Sequence, residues 1–497
     1  MNILHRTRVV DGLARHLARY ATGVTLELSA RTTDEARMVL TDSLAVAWAA
    51  LAHEAAAAAA RYAALFPVRD GPGCTVWGST LRTGPETAAL ANGVLLRCND
   101  YNDLFIGDCN WGHPSDILAA ILPVAEWLGL SGERVLGGIA LAYEVALALF
   151  DTLPATESGW DYSNLTAIAA TCAIGRLMEL DATRLQEALA ITVIPHLASD
   201  EIESGDLNRH GDLTMWKRFN AGDAMRQSVY ACLLARSGCE GAVRPFVGRL
   251  GLLSRLDLPE AATERLMRLL DPARPLSRIG STTFKRWPVG SRAQSAIDSA
   301  LDARSRLPQG AATTRIGIST TGSVHRHLVS SRPDPWKPIS RETADHSLPF
   351  IVAAAILDGN IVPNSFAPDR LADPELRRLI SLVEVTADLD AGNTEERQHA
   401  ADGYLSRVTL GCADGSSVTG CAEPSPGHPL RPFTTSDVET KLGQSMAPYA
   451  APSQIAASLA LLRSVEACAD ICQLTVLLTA HPSRQRTSLS EPSGLSR

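Results

Sequence analysis

The sequence predicts a mostly α-helical protein, a large all-helical domain with a smaller α+β domain inserted into it. Three observations predict this. Apolar residues recur at three- and four-residue spacing almost throughout residues 8 to about 270. From about 275 the texture changes to short runs alternating at period two, interrupted by helices. After Pro432 helical spacing returns as far as about Thr479. The division expected is 1–273 for the first part of the helical domain, 274–433 for the α+β domain and 434–481 for C-terminal helices that return to the helical domain. The polar tail 482–497 is expected to be disordered.

Each element has its own signal. Val9, Val10, Leu13, Leu17 and Tyr20 fall on one face of a first helix. Its arginines, Arg6, Arg8, Arg15 and Arg19, also give it the look of a transit peptide. The alanine-rich stretch Leu44–Phe66, broken by His53, Glu54 and Arg61, reads as a buried helix, because alanine is too weakly apolar for a membrane span. Helices follow over Asp116–Leu128, Glu133–Leu149, Leu165–Met178, Ala182–Ile194 and Ala221–Ser237. Ser131 and Asp181 are the cap candidates, and no strand alternation stands out in this half. Strands are expected at Thr314–Thr320, at Val383–Asp388 and on both sides of Asp414-Gly415. That dipeptide makes a hairpin turn between Arg407 and Thr419, since glycine tolerates positive φ. Helices at Ser291–Ser305, Ser347–Leu357 and Pro374–Leu382 complete the unit. There is no internal repeat, coiled coil or low-complexity linker.

Composition narrows the function. The 497 residues carry a net charge of -8, with 45% hydrophobic and 20% charged residues. No basic stripe tracks phosphates, so nucleic acid is not an expected partner, and neither is a membrane. None of the ten cysteines forms Cys-x-x-Cys. Cys468 and Cys472 lie four apart on an expected helix, which is not zinc-knuckle spacing. Buried thiols in a reduced, cytoplasmic protein are the expectation. Clustered thiolates for an iron–sulfur centre, paired histidines for a metal, a Walker loop, Gly-x-Ser-x-Gly and His-Glu-x-x-His are all missing, so neither metal nor organic cofactor is expected.

Four stretches carry chemistry. In the first, Asp100, Asn102 and Asp103 precede Gly112-His113-Pro114-Ser115-Asp116, and an apolar helix begins at Ile117. Ser115 or Asp116 could cap that helix, which would set His113 at a helix N-terminus where backbone N–H groups favour an anion. A histidine there can act as acid or base. On spacing alone the stretch reads equally as a capped turn with an ordinary surface histidine. The second, Arg209 to Ala224, puts Lys217 and Arg218 near a helix start, against the macrodipole. That placement suits a bound carboxylate, or two merely solvated side chains. The third, Thr283–Gln294, is again cationic and aromatic, with Lys285, Arg286 and Arg292. The fourth, Ala344–Phe350, holds Asp345-His346-Ser347 ahead of an apolar helix.

In this order and at these distances, the four stretches resemble the MmgE/PrpD family, which includes 2-methylcitrate dehydratase and cis-aconitate decarboxylase. The match lies in Asp100-Tyr101-Asn102-Asp103 with Gly112-His113-Pro114-Ser115-Asp116, in Lys217 with Ala221-Gly222-Asp223-Ala224, in Lys285-x-x-Pro288, and in Asp345-His346-Ser347. Asp42-Ser43-Leu44-Ala45-Val46-Ala47 looks like the family's opening helix. The resemblance covers residues from about 9 to 475. It implies a homodimer with a lid-like α+β domain, an active site between the domains, no metal or organic cofactor, and a small polycarboxylate substrate. Asp100, His113, Lys217 and Lys285 fall on its catalytic positions. Asn102, Asp103, Ser115, Arg218, Arg292 and His346 are the further substrate-binding candidates. His113 and Asp100 would transfer protons, and the lysines would offset charge on an enolate-like carboxylate.

Two stretches, Trp111–Asp116 and Trp216–Ala224, look closer to the dehydratases. The decarboxylases carry a hydroxyl residue where this chain has Leu104, and a histidine where it has Gly290. The implied reaction is dehydration of a 2-methylcitrate-like hydroxy acid, with Tyr162, Arg292 or His346 as the second acid/base group. Decarboxylation or epimerisation of a related acid is the alternative. A catalytically silent dimeric binding protein is another.

Overall fold

The computed structural model describes residues 11–201, 214–258, 262–332, 334–389 and 396–480. Val9, Val10, Arg209, His210 and the expected tail 482–497 lie outside the described residues. The chain opens on Asp11, which caps helix Gly12–Gly23 by accepting the Ala14 N–H at 3.0 Å. Its other oxygen accepts the N–H groups of Phe246 and Val247, so one carboxylate ties the helix to a distant loop. Leu13, Leu17 and Tyr20 are buried on the expected face. The alanine-rich stretch is not one helix. Helix Ala30–Ala49 ends, and Glu54–Ala63 starts at an angle of 96°, with the His53 ring accepting the Ala55 N–H as its cap. No single helix among the described residues is long and apolar enough to cross a membrane.

Helices Leu118–Leu128, Gly132–Phe150, Ser163–Leu177 and Ala182–Val193 follow the predicted spans, with Ser131 and Asp181 as caps. Two short antiparallel ribbons, Cys74–Thr75 with Arg82–Thr83 and Phe105–Ile106 with Trp111–Gly112, were not foreseen. Two-residue ladders are too short to show alternation. The closest helix crossing joins Pro85–Arg97 to Asn220–Arg236. A Cβ on Gly93 would come within 2.4 Å of the Gly222 Cα, so only glycine allows this approach. The crossing draws the end of the first helix and the start of the second into one neighbourhood.

Residues from Trp287 to Leu410 form a separate hydrophobic core. It contains a four-stranded sheet in the order Val383–Ala387, Thr313–Thr320, Ser406–Cys412, Ser417–Thr419. The first pair is parallel and the others antiparallel. Burial alternates along Ser406–Cys412, and Gly415 makes the hairpin turn with φ 85°. Helices Gln294–Ser305 and Leu348–Asp358 contribute Ala296, Ile297, Phe350 and Ile351 to the core. Helix Thr435–Met446 then returns to the first core. Cys468 and Cys472 do not share a helix, since Cys468 ends a short turn and Cys472 begins the next one.

The return is fixed by Lys441. Its buried ammonium donates to Asp42 Oδ1 at 2.7 Å, to the Lys285 carbonyl at 3.0 Å and to the Tyr101 carbonyl at 3.2 Å. One cation therefore joins helix Ala30–Ala49, helix Thr435–Met446 and two site segments. Replacing it leaves the Asp42 charge buried without a counter-ion. Lys441→Ala should lower the unfolding free energy by about 3–5 kcal/mol, measured by denaturant titration, and Asp42→Asn in the same chain should restore part of that. A loss below about 1 kcal/mol, the range of an exposed ion pair, would contradict this role.

Candidate active site

Helix Pro85–Arg97 ends beside the site. Three residues on, Asp100 adopts φ 46°, a left-handed conformation that aspartate tolerates better than most side chains. Lys285 donates to both its carbonyl, at 2.7 Å, and its Oδ1, at 3.0 Å. Arg97 Nη1 donates to the same Oδ1 at 2.8 Å. Lys285 stands where the two cores meet, since Phe284 packs on the helical core and Trp287 belongs to the other. Burial alone pushes the Asp100 carboxyl up. Lys285 and Arg97, helped by His113 and His346, overcome it and hold the group well below the usual carboxylate range.

Two imidazoles flank Asp100. His113 Nε2 lies 3.7 Å from Oδ1, and His346 Nε2 lies 3.8 Å from Oδ2. The other ring nitrogen of His113 meets the Asp103 carbonyl, which can only accept, so Nδ1 carries the proton and Nε2 is left with a lone pair. Burial, then Arg97 and Lys285, keeps His113 well below the usual imidazole range. His346 is oriented in the same way by Asp345, and burial and Lys217 push it down to about 4. Lys217 Nζ lies 3.4 Å from His346 Nε2, and Arg218 Nη2 donates to Asp345 Oδ2 at 2.8 Å. Asp345 is held below the usual carboxylate range, because Arg218 and His346 outweigh its burial. The side chains facing one another thus comprise four cations, Arg97, Lys217, Arg218 and Lys285, and two carboxylates, Asp100 and Asp345. That imbalance favours an anionic ligand.

His113, Lys217 and Arg218 are all buried, which removes the surface-histidine and solvated-cation readings. Asp100, His113, Lys217, Lys285, Arg218 and His346 come together. Asn102, Asp103 and Ser115 do not face this group. Asn102 donates to Asp116 at 2.9 Å, and the Asp103 carboxylate accepts from the Ser115 N–H and the Tyr143 hydroxyl. They form the wall behind His113. The Ser115 N–H of the turn after His113 therefore serves the protein's own carboxylate, and the Asp116 N–H donates to the His113 carbonyl at 3.1 Å. Asp116 does not cap its helix either. It accepts from Asn102 and Tyr162, and burial pushes Asp103 up to about 6 and Asp116 up to about 7. Tyr162 is spent on Asp116, with its ring against His113. Arg292 stacks on Tyr404 and donates to Ser323 Oγ at 3.3 Å. Gly290 lies closer to the chemistry, since a Cβ there would sit 3.3 Å from Asp100 Oδ2. Arg97 was missed by the sequence reading. Its signal is a lone arginine ending an apolar helix, three residues before an acid.

The model of the MmgE/PrpD N-terminal domain matches residues 15–262, and that of the C-terminal domain matches 287–466. Cis-aconitate decarboxylase of Homo sapiens is 23% identical over 491 residues, 94% of each chain. The 2-methylcitrate dehydratase of Cupriavidus necator is 23% identical over 465 residues, covering 86% of this chain and 89% of its own. That of Salmonella typhimurium is 24% identical over 373 residues, 69% of this chain and 71% of its own.

The imidazole environments can be read directly. In histidine-labelled protein at pH 7, magnetic resonance should find His113 and His346 neutral and protonated on Nδ1, with His346 titrating near pH 4. Because that lies below the ordinary 6.5, the unfolded chain binds the proton first. The share of stability from His346 is therefore full above pH 6.5 and is lost as pH falls towards 4. An imidazolium at either position at pH 7 would contradict the assignment.

Proposed function

This chain belongs to the MmgE/PrpD family, and from that premise we propose that it is a lyase that dehydrates a small 2-methylcitrate-like hydroxy acid without a cofactor. The observation that carries this reading is the lone pair on His113 Nε2, held in a neutral ring beside an ion-paired lysine. His113 takes the proton from the carbon next to a carboxylate. Lys285, with Arg97 behind it, offsets the charge that builds on that carboxylate. Lys217, at the open nitrogen of His346, protonates the departing hydroxyl, which leaves as water while the carbon–carbon double bond forms. Arg218 holds Asp345, and through it the His346 ring, in place.

Asp100 has a different part from the proton carrier expected of it. Its Oδ1 already accepts from both Arg97 and Lys285, so it acts as the fixed anion that positions Lys285. The group is buried on every side, and a polycarboxylate reaches it when the α+β unit moves as a lid. Decarboxylation is the second reading. The length of the match to the human decarboxylase favours it, and the same cations would hold the remaining carboxylates.

Incubating the protein with 2-methylcitrate and citrate isomers tests the reading. Dehydration raises the ultraviolet absorbance of a new conjugated double bond. Release of carbon dioxide from an unsaturated acid would mark the decarboxylase. Loss of optical rotation without an alkene would mark an epimerase. Binding without turnover would mark a silent binding protein. If dehydration is seen, His113→Gln should lower kcat by about 10²–10⁴-fold with KM within about threefold, whereas Lys285→Ala should also raise KM. A His113→Gln enzyme within about tenfold of the parent would remove His113 as the base.

A further inference from the structure

A cavity of about 590 Å³ lies beside the polar cluster, within the range of small-molecule sites. Among the described residues no aspartate, glutamate, lysine or arginine lines it; its polar lining is hydroxyl and amide groups and His428. Its walls come from both cores, with Phe105 and Phe284 packed on one and Ile106, Ala400 and Tyr404 on the other. Leu430 is 67% exposed, so the cavity opens to solvent there.

Three chain segments run straight from the cluster into this wall. Leu104 follows Asp103, whose carbonyl orients His113. Phe284 precedes Lys285. Ser291 follows Gly290, whose missing side chain leaves only backbone beside Asp100 Oδ2. Leu104 and Thr283 exchange backbone hydrogen bonds at 2.9 and 2.8 Å, which fixes the floor. The far wall is strained. Gly403 and Tyr404 are both left-handed, at φ 84° and 50°, and a bulky aromatic residue adopts that conformation only when its surroundings enforce it. Arg292 stacks on the Tyr404 ring at 5.0 Å and helps to hold it.

We propose that this cavity takes an uncharged apolar substituent of the substrate, so that the acid whose carboxylates meet Lys285 and Lys217 carries an alkyl chain longer than methyl. This rests on the polycarboxylate reading above and names the part of the substrate that reading leaves open. Leu104 and Gly290 then serve one purpose. Leu104 supplies apolar wall, and Gly290 leaves room between that wall and the reacting carbon.

Citrate-type tricarboxylates with hydrogen, methyl, butyl or hexyl on the same carbon test it with the full-length protein, by calorimetry and by steady-state turnover. Affinity should rise up to about fourfold per added methylene, the factor for burying one, and kcat/KM should rise with it. Ala401→Trp, an exposed position on the cavity rim, should abolish the gain for the hexyl acid and leave the methyl acid within about twofold. Turnover of the methyl acid with affinity flat or falling along the series overturns the cavity assignment and leaves the dehydratase reading standing. Affinity rising along the series without any alkene formed supports the cavity and overturns the dehydratase reading. No binding and no turnover overturns both.

Discussion

The buried charge of Asp100 sets the rest of the site. A lone carboxylate at this depth would be far too costly to ionise, so its surroundings must supply compensation. Lys285 and Arg97 supply it directly, and Lys285 does so through both the side chain and the backbone of one residue. That double contact needs the carbonyl and carboxylate of Asp100 to turn the same way, which its left-handed conformation provides. The two imidazoles then lie beside a fixed negative charge and remain neutral, because burial and the neighbouring cations outweigh its pull. A base with a free lone pair and a set of ammonium groups can coexist at one pH only in such an arrangement.

The fold delivers these groups from segments far apart in the chain. Asp100 and Lys285 are 185 residues apart, and Arg218 and Asp345 are 127 apart. The Gly93–Gly222 crossing draws Arg97 and Lys217 into one neighbourhood. Lys441 then joins the C-terminal helix to the carbonyls of Tyr101 and Lys285, so the segment that ends the helical body also braces the site. Asp345 and His346 sit on a turn ahead of helix Leu348–Asp358, which Ser347 caps through the Phe350 N–H. Both cores therefore contribute to one polar group.

Much of the fold was legible in the residues, because periodicity and caps are local. Ser131, Asp181 and Asp414-Gly415 act where their chemistry says they should. The break at Ala50–His53 was not legible, since neither glycine nor proline marks it and a histidine is an unusual cap. In the site, residue type was legible but direction was not. Asn102, Asp103 and Ser115 belong to the right stretch, yet Asp116 holds Asn102, and the Tyr143 hydroxyl, 40 residues on, holds Asp103, in the wall behind His113. The stacking of Arg292 on Tyr404 was not legible for a similar reason, since the two are more than a hundred residues apart in sequence. Arg97 was hidden by the apolar helix that it ends.

The central claim is that His113 faces the reacting carbon while the surrounding cations hold the carboxylates. A crystal structure with a non-reactive tricarboxylate analogue tests it most directly. The account predicts carboxylate oxygens within hydrogen-bond reach of Lys285 and Lys217, and the α-carbon of the analogue next to His113 Nε2, with Asp100 still paired to Lys285. An analogue seated with its carboxylates elsewhere, or with His113 turned from the α-carbon, would contradict it.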